Sequence, residues 1–163
     1  MRKITFTAKD IAISAVIAAL YVAVTWATLP LSFYGVQFRL SEVLVLLCFF
    51  SRKYVPAMLI ACVVANFLSP INPLMDIVLG GIGTLCAVLP MKSMKNIWLA
   101  ALLPALSNGF FVGLELQLAF DLPLYIGGLQ VAAGEFAVLF ILGVPFYKYV
   151  VTRNKFLSQL IAG

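Results

Sequence analysis

Six side chains of this sequence are acidic (Asp10, Glu42, Asp76, Glu115, Asp121 and Glu135), and none is histidine. Lacking histidine, the chain can build no Ser-His-Asp triad, no His-ligated metal and no HExxH helix. Neither a GxxxxGKS/T loop nor a GxSxG elbow occurs, so P-loop nucleotide binding and that form of nucleophilic catalysis are excluded too. Cys48, Cys62 and Cys86 lie inside apolar stretches at unpaired spacings, which argues against a disulfide framework or a zinc site. No metal and no cofactor is expected. What remains is carboxylate, amide and guanidinium, a set suited to binding rather than to making bonds. Arg39 and Glu42 stand one helical turn apart at the head of an apolar run, GVQFRLSEVLVLLCFF (35–50). Asn108 and Glu115 are two turns apart, hence on nearly one helix face. Asn66 closes another apolar stretch, Asn72 and Asp76 flank the entry to the next, and Gln130 precedes Glu135.

The elements that must carry these groups are set by composition. The chain is 64% hydrophobic and 10% charged, with a mean hydropathy of +1.11. Soluble domains average roughly 25% charged residues, so this chain cannot cover itself in water. Its long segments are apolar all round, as suits helices with lipid on one side and protein on the other. The expected fold is all-α and integral to a membrane, one domain over 1–163, with six transmembrane helices near 11–29, 38–50, 55–68, 75–90, 97–120 and 125–151. The first run is too long for a signal-peptide core and is followed by no small-residue cleavage site, so it reads as a span. A crossing needs about 20 residues, and the second, third and fourth segments fall short. Irregular backbone at membrane depth is tolerated only where protein or a wet cavity buries it, so the short segments point to a cavity on one side.

Basic residues give the orientation. Arg2, Lys3 and Lys9 precede the first segment, Arg52 and Lys53 follow the second, Lys92 and Lys95 the fourth, and Lys148, Arg153 and Lys155 the sixth. With six spans these ten lie on one side and Arg39 alone on the other, so both termini are expected in the cytoplasm. The net charge of +5 is then a topology signal and requires no nucleic acid.

Asp10 apart, every acid falls in the outer half of a span or in an outward loop. Glu135 is placed near the midplane, about 13 Å into its segment at ~1.5 Å per residue. A charge there costs about 2.5–3.5 kcal/mol or more, so it should face the bundle interior and have a partner. Ion pairing and helix capping could explain any one of these groups. Several carboxylates, one guanidinium and several amides gathered on one side instead define a ligand pocket that opens outward. Because carboxylates outnumber the cation, the pocket favours a neutral or cationic solute rich in donors, such as a guanine-type N1–H/N2–H₂ edge. Tyr34, Phe38, Phe110 and Phe111 are near enough in sequence to offer a stacking face. In the first segment Ala15, Ala19, Ala23 and Ala27 recur every four residues, a small-residue stripe that lets a second helix approach. It packs inside the bundle or, if it faces outward, docks a membrane partner.

The blocks GVQFRLSEVLVLL, ANFLSPINPLMDIVLGGIGTL, NGFFVGLELQLAF and LQVAAGEFAVLFILGVPFY resemble the QueT family across nearly the whole chain. Its members are queuosine-precursor carriers of the substrate-binding (S) class of energy-coupling factor (ECF) transporters. The chain departs from the family pattern at Val45 and at Cys48-Phe49, toward the inner end of the second segment. The resemblance implies a six-helix bundle whose outward pocket lies under the loops after segments one, three and five. It implies a membrane coupling protein and two cytoplasmic ATPases as partners, the loaded chain toppling on the first to deliver its solute. By motif position the candidate site is Gln37, Arg39, Glu42, Asn66, Asp76, Asn108, Glu115, Gln130 and Glu135, with Ala15, Ala19 and Ala23 as the docking surface. The implied solute is a 7-deazaguanine, queuine or the aminomethyl precursor preQ1, whose ammonium would suit a carboxylate. Two other readings of the residues stay open: an S component for another vitamin-like heterocycle, and a stand-alone proton-coupled carrier using Glu115 and Glu135. An intramembrane enzyme is the weakest, since only carboxylates could act.

Overall fold

The structure, a computed structural model, describes residues 6–34 and 36–162. Arg2 and Lys3, two of the basic residues used for orientation, and Gly35 of the GVQFRL block lie outside the described residues. Among the described residues the chain is helical throughout, with no strand. The helices are α1 (Ala8–Ala27), α2 (Leu29–Phe33), α3 (Leu40–Phe50), α4 (Val55–Asn66), α5 (Pro73–Met91), α6 (Ile97–Phe120), α7 (Leu124–Val151) and α8 (Lys155–Ala162). Four of them, α1, α5, α6 and α7, are long and apolar enough to cross a membrane.

Local chemistry explains most boundaries. Thr7 and Asp10 form a reciprocal capping box at the head of α1, and Lys53 Nζ ties Asp10 from the neighbouring turn at 3.0 Å. The first expected span ran to residue 29. It stops at Ala27 because Pro30, in the first turn of α2, starts a new helix. Expected to begin at 38, α3 starts at Leu40 with seven residues of tight 3-10 helix and ends in four of α-helix. It is therefore about 20 Å long, too short to cross a ~30 Å core by itself. No proline interrupts Cys48-Phe49, and the helix runs through them to Phe50. Asn66 ends α4, two residues before the expected end, and Asn72 caps α5 through the backbone N–H of Met75 at 3.3 Å. The Ile97–Phe120 helix matches the expected segment and stops at Asp121, whose φ of 55° is left-handed. Residues 155–162 neither trail away nor prolong α7. Asn154 caps a separate amphipathic helix through Phe156 and Leu157, and Ile161 is buried in the core.

Two packing regions position the rest. The apolar core lies toward the end that carries Phe50, Met91 and Val151, and includes Leu46, Met58 and Tyr147. Basic residues gather at the same end: Arg52 donates to Ser93 Oγ at 3.3 Å and Lys92 to the Phe50 carbonyl at 2.5 Å. The second region is the seam between α6 and α7. A Cβ added to Gly113 would lie 2.7 Å from Gly128 Cα, and one added to Gly109 would lie 2.9 Å from Ala132 Cβ. Small residues four apart on both helices let the backbones touch, the arrangement that drives helix association in lipid.

Gly113→Ala should therefore push α6 and α7 apart and lower the thermal midpoint of the detergent-purified protein, at a cost of about 1–3 kcal/mol. Gly81→Ala, whose added Cβ meets nothing within 4 Å, is the matched substitution and should leave the midpoint unchanged or higher.

Candidate functional site

The heads of α3 and α5, the end of α4 with the loop after it, and the α6 and α7 helices converge on one buried polar cluster. Arg39, Glu42, Asn66, Asp76, Asn108, Glu115 and Glu135 are each at most 4% exposed. Gln37, 3% exposed, lies in the loop that covers them. That loop rests on α7 at Gly134, where an added Cβ would overlap the Gln37 carbonyl, and is pinned by the Phe38 N–H donating to the Leu31 carbonyl at 2.8 Å. The expected outward pocket is thus closed in this conformation.

Within the cluster the charges interact without pairing. Arg39 is electrostatically coupled to Glu42 and Glu135, and Glu115 feels both Asp76 and Arg39. Yet no ion pair within 4 Å forms among these groups; among the described residues that distance is reached only by Lys53 and Asp10. Arg39 instead sets its guanidinium over the Phe33 ring, 5.0 Å from the centroid, and its Nε and Nη2 have no partner. The Tyr21 hydroxyl donates to Glu42 Oε1, leaving Oε2 free. Asn108 Nδ2 donates to Glu135 Oε1 at 2.6 Å, and again the second carboxylate oxygen is unpaired. Ser69 donates to Asp76 Oδ2, and Asn66 Nδ2 to the Asp76 backbone carbonyl at 2.8 Å. Asn66 Oδ1 and Asn108 Oδ1 lack any donor, and the Glu115 carboxyl meets another carboxyl, that of Asp76. Buried polar groups are nearly always satisfied. This many unpaired atoms, donor and acceptor, facing one interior is what a site preorganised for a polar ligand requires.

Several irregular turns fall beside these residues. Asp76 opens a π-helical stretch (Asp76–Gly80), and a second (Val138–Gly143) begins three residues after Glu135. Arg39 caps the 3-10 start of α3. Such turns re-aim side chains and recur at functional sites.

Most of the expected set is brought together, and one member is not. Gln130 is half-buried and makes no hydrogen bond among the described residues. Of the four expected stacking faces Tyr34, Phe38 and Phe110 are exposed, Phe110 because it is rotated about 200° from Asn108 on α6, while Phe111 is half-buried. Phe33 takes that place beneath Arg39. Sequence reasoning missed Tyr21, Thr25, Ser41 and Ser69. Thr25 Oγ1 and Ser41 Oγ meet at 2.7 Å and, with Tyr21–Glu42, clasp α1 to α3. The signal was available: Tyr21 and Thr25, four apart, are the polar positions on one face of an otherwise apolar helix. The Ala15, Ala19 and Ala23 stripe lies on the opposite side of α1 and is exposed, along two adjoining apolar grooves between α1 and α4.

Apolar helices long enough to cross a membrane, closed around unpaired charge with no nucleophile–base pair, define a multi-pass membrane protein that handles a polar solute. The chain belongs to the QueT transporter family, whose model matches residues 11–152. It is similar to the queuosine precursor transporter QueT of Lactococcus lactis subsp. cremoris (strain MG1363), 34% identical over 148 residues that cover 81% of this chain and 86% of that protein. The protein is thus a transporter rather than an enzyme. No solved structure matches it.

The Tyr21–Glu42 bond gives a test of the cluster's wiring. Tyr21→Phe should destabilise by about 1.5–3 kcal/mol, the worth of a hydrogen bond to a charged group. Adding Glu42→Leu should recover part of that loss, because the carboxylate deprived of the Tyr21 donor is then gone. Thermal unfolding of the single and double variants in detergent decides between this and independent, additive effects.

Proposed function

We propose that this chain is the substrate-binding S component of an ECF-type importer for a queuosine precursor. The single observation that carries the reading is the buried cluster of Arg39, Glu42, Asn108 and Glu135, whose unpaired guanidinium nitrogens and carboxylate and amide oxygens complement a purine-like edge. Carboxylates accept paired N–H groups, and a guanidinium donates to a ring carbonyl. The substrate class follows from the name of the lactococcal relative. A 7-deazaguanine such as queuine or preQ1 presents both halves of that pattern. Gln37 of the covering loop and Gln130 at the margin complete the candidate set with Asn66, Asp76 and Glu115.

In this reading one 1–163 domain spans the membrane six times, α3 and α4 crossing with the help of their flanking turns and loops. Both termini and the basic end of the bundle face the cytoplasm. The polar cluster then sits toward the outside, closed in the conformation described. The exposed Ala15, Ala19 and Ala23 stripe, flanked by apolar grooves, is the surface on which a membrane coupling protein docks, with two cytoplasmic ATPases beneath it. The loaded chain topples on that partner and releases its solute inward.

Binding to the purified chain is the first test. Glu135→Gln should weaken a 7-deazaguanine by about tenfold or more, the loss expected for one charge-assisted hydrogen bond. Unchanged affinity in both Glu135→Gln and Glu115→Gln would remove the assignment of the cluster as the site. Uptake into cells supplies the second. It should stop when the partner ATPases are deleted, whereas persistence would favour a stand-alone carrier relaying protons through Glu115 and Glu135.

A further inference from the structure

The basic end of the bundle carries charge that nothing in the chain answers. Five of the six acids lie elsewhere. Glu42, Asp76, Glu115 and Glu135 are in the buried cluster, and Asp121 closes the far end of α6, about 36 Å from its start at ~1.5 Å per residue. The sixth, Asp10, is already held by Lys53 at 3.0 Å, and among the described residues no other ion pair forms. Lys95 and Lys148 are therefore left without a carboxylate.

Those two lysines line one cavity of about 390 Å³, set where the end of α3, the start of α6 and the end of α7 meet. Phe49, Phe50 and Trp98 supply its apolar wall. Core contacts fix that wall: the Phe50 ring packs 5.4 Å from that of Tyr147, and Trp98 5.2 Å from Phe140. The polar side has a third positive element. Asn96 caps α6 through the Trp98 N–H at 3.0 Å, so the N-terminus of a 24-residue helix, with its partial positive charge, opens on the same space. Lys148 Nζ and the Arg153 guanidinium share the Tyr149 ring, at 5.9 and 5.5 Å, which keeps a further cation beside the rim.

Position decides the occupant. Both α6 and α7 are long and apolar enough to cross a membrane, so their ends, and the cavity with them, fall at the membrane–water interface, the level of lipid phosphates. Leu99 and Tyr149, next to the lining residues on the two helices, are about half exposed, so apolar surface flanks the mouth. A small soluble anion would leave the aromatic wall uncovered, whereas a phospholipid covers it with its glycerol and upper acyl chain. Its headgroup should carry no cation, because an ammonium there would meet Lys95, Lys148 and Arg153 with no carboxylate to receive it. We infer that this cavity seats the phosphodiester of an anionic membrane phospholipid, with Lys95 and Lys148 on the phosphate and Phe49, Phe50 and Trp98 against the glycerol. A lipid held there ties the short α3 to the two longest helices, at the opposite end of the bundle from the polar cluster.

The full chain in detergent is titrated with phosphatidylglycerol, phosphatidylethanolamine and inorganic phosphate. Native mass spectrometry counts bound lipid, and the thermal midpoint is followed alongside. The unmodified protein should hold phosphatidylglycerol about tenfold or more tightly than phosphatidylethanolamine. Lys95→Gln combined with Lys148→Gln should lower phosphatidylglycerol affinity by about thirtyfold. Lys9→Gln combined with Lys155→Gln removes the same charge from exposed positions outside the cavity, and should lower it by less than about threefold. The midpoint without lipid reports that each variant has folded, and the lipid preference of the unmodified protein decides the matter without any variant. Equal binding of the two lipids, or equal losses in the two double variants, would overturn the inference and leave only a diffuse basic surface. A midpoint raised as much by inorganic phosphate as by phosphatidylglycerol would overturn it in favour of a soluble anion. Unchanged lipid binding in the Lys95/Lys148 variant, with loss of a co-purifying protein, would overturn it in favour of a protein contact. Solute binding should be the same in every variant, so the test stands apart from the function proposed above.

Discussion

Arg39 is one guanidinium buried among acids, and the polar half of the molecule is arranged around that imbalance. In a low-dielectric bundle each unpaired charge is expensive, about 2.5–3.5 kcal/mol or more at the centre of a membrane helix. A structure optimised for stability would have closed Arg39 onto Glu42 or Glu135. Instead the guanidinium lies over Phe33, and each carboxylate keeps at least one oxygen without a donor. The internal hydrogen bonds that do form offset only part of this, each being worth about 0.6–2 kcal/mol. The molecule holds its polar groups apart at a cost, and the stabilisation must come from elsewhere in the bundle.

It comes from the other end. There α1, α3, α4, α5 and α7 bury a continuous apolar core, and α8 folds back to add Ile161. Lys53–Asp10 and Lys92–Phe50 close the basic rim. The glycine seam of α6 and α7 extends this rigid body into the polar half and fixes Asn108 against Glu135. Helix regularity follows the same division: the 3-10 turns of α3 and the π turns of α5 and α7 begin at or near Arg39, Asp76 and Glu135. These three departures from α geometry lie close to side chains that do not pair, whereas a further π turn, Phe146–Val151, belongs to the basic end.

The long elements were legible in the sequence because lipid leaves a strong mark. The Ile97–Phe120 helix was readable to the residue, and α7 nearly so, since uninterrupted apolar runs of that length have one interpretation. The convergence of Arg39, Glu42, Asn108, Glu115 and Glu135 was also readable, from their cost in hydrocarbon. Tyr21 left a fainter mark, its four-residue spacing from Thr25, because a tyrosine in a membrane helix counts as apolar until its hydroxyl finds a partner. Phe33 left none. A ring buried under a guanidinium and a ring exposed to lipid, like Phe110, look alike in sequence, and only the rotation about each helix separates them. Gln130, five positions before Glu135 on α7, is turned about 140° from it and is only half-buried, a difference that spacing along the chain does not convey.

The two walls of the closed cluster are built differently, and this bears on how a solute could pass. On one wall α6 and α7 meet backbone to backbone at Gly109, Gly113 and Gly128. Parting them would forfeit close packing over the length of the seam. The other wall is the clasp of α1 to α3 and the covering loop. Its ties at the cluster are side-chain bonds, Tyr21–Glu42 and Thr25–Ser41, and one backbone bond from Phe38. Each such tie is worth about 1 kcal/mol, roughly doubled where a carboxylate accepts. A polar ligand that satisfies Glu42 could replace what the clasp supplies, whereas nothing in a ligand could replace the seam. The α1–α3 side is thus the more easily parted wall of the cluster, and the α6–α7 seam the fixed one.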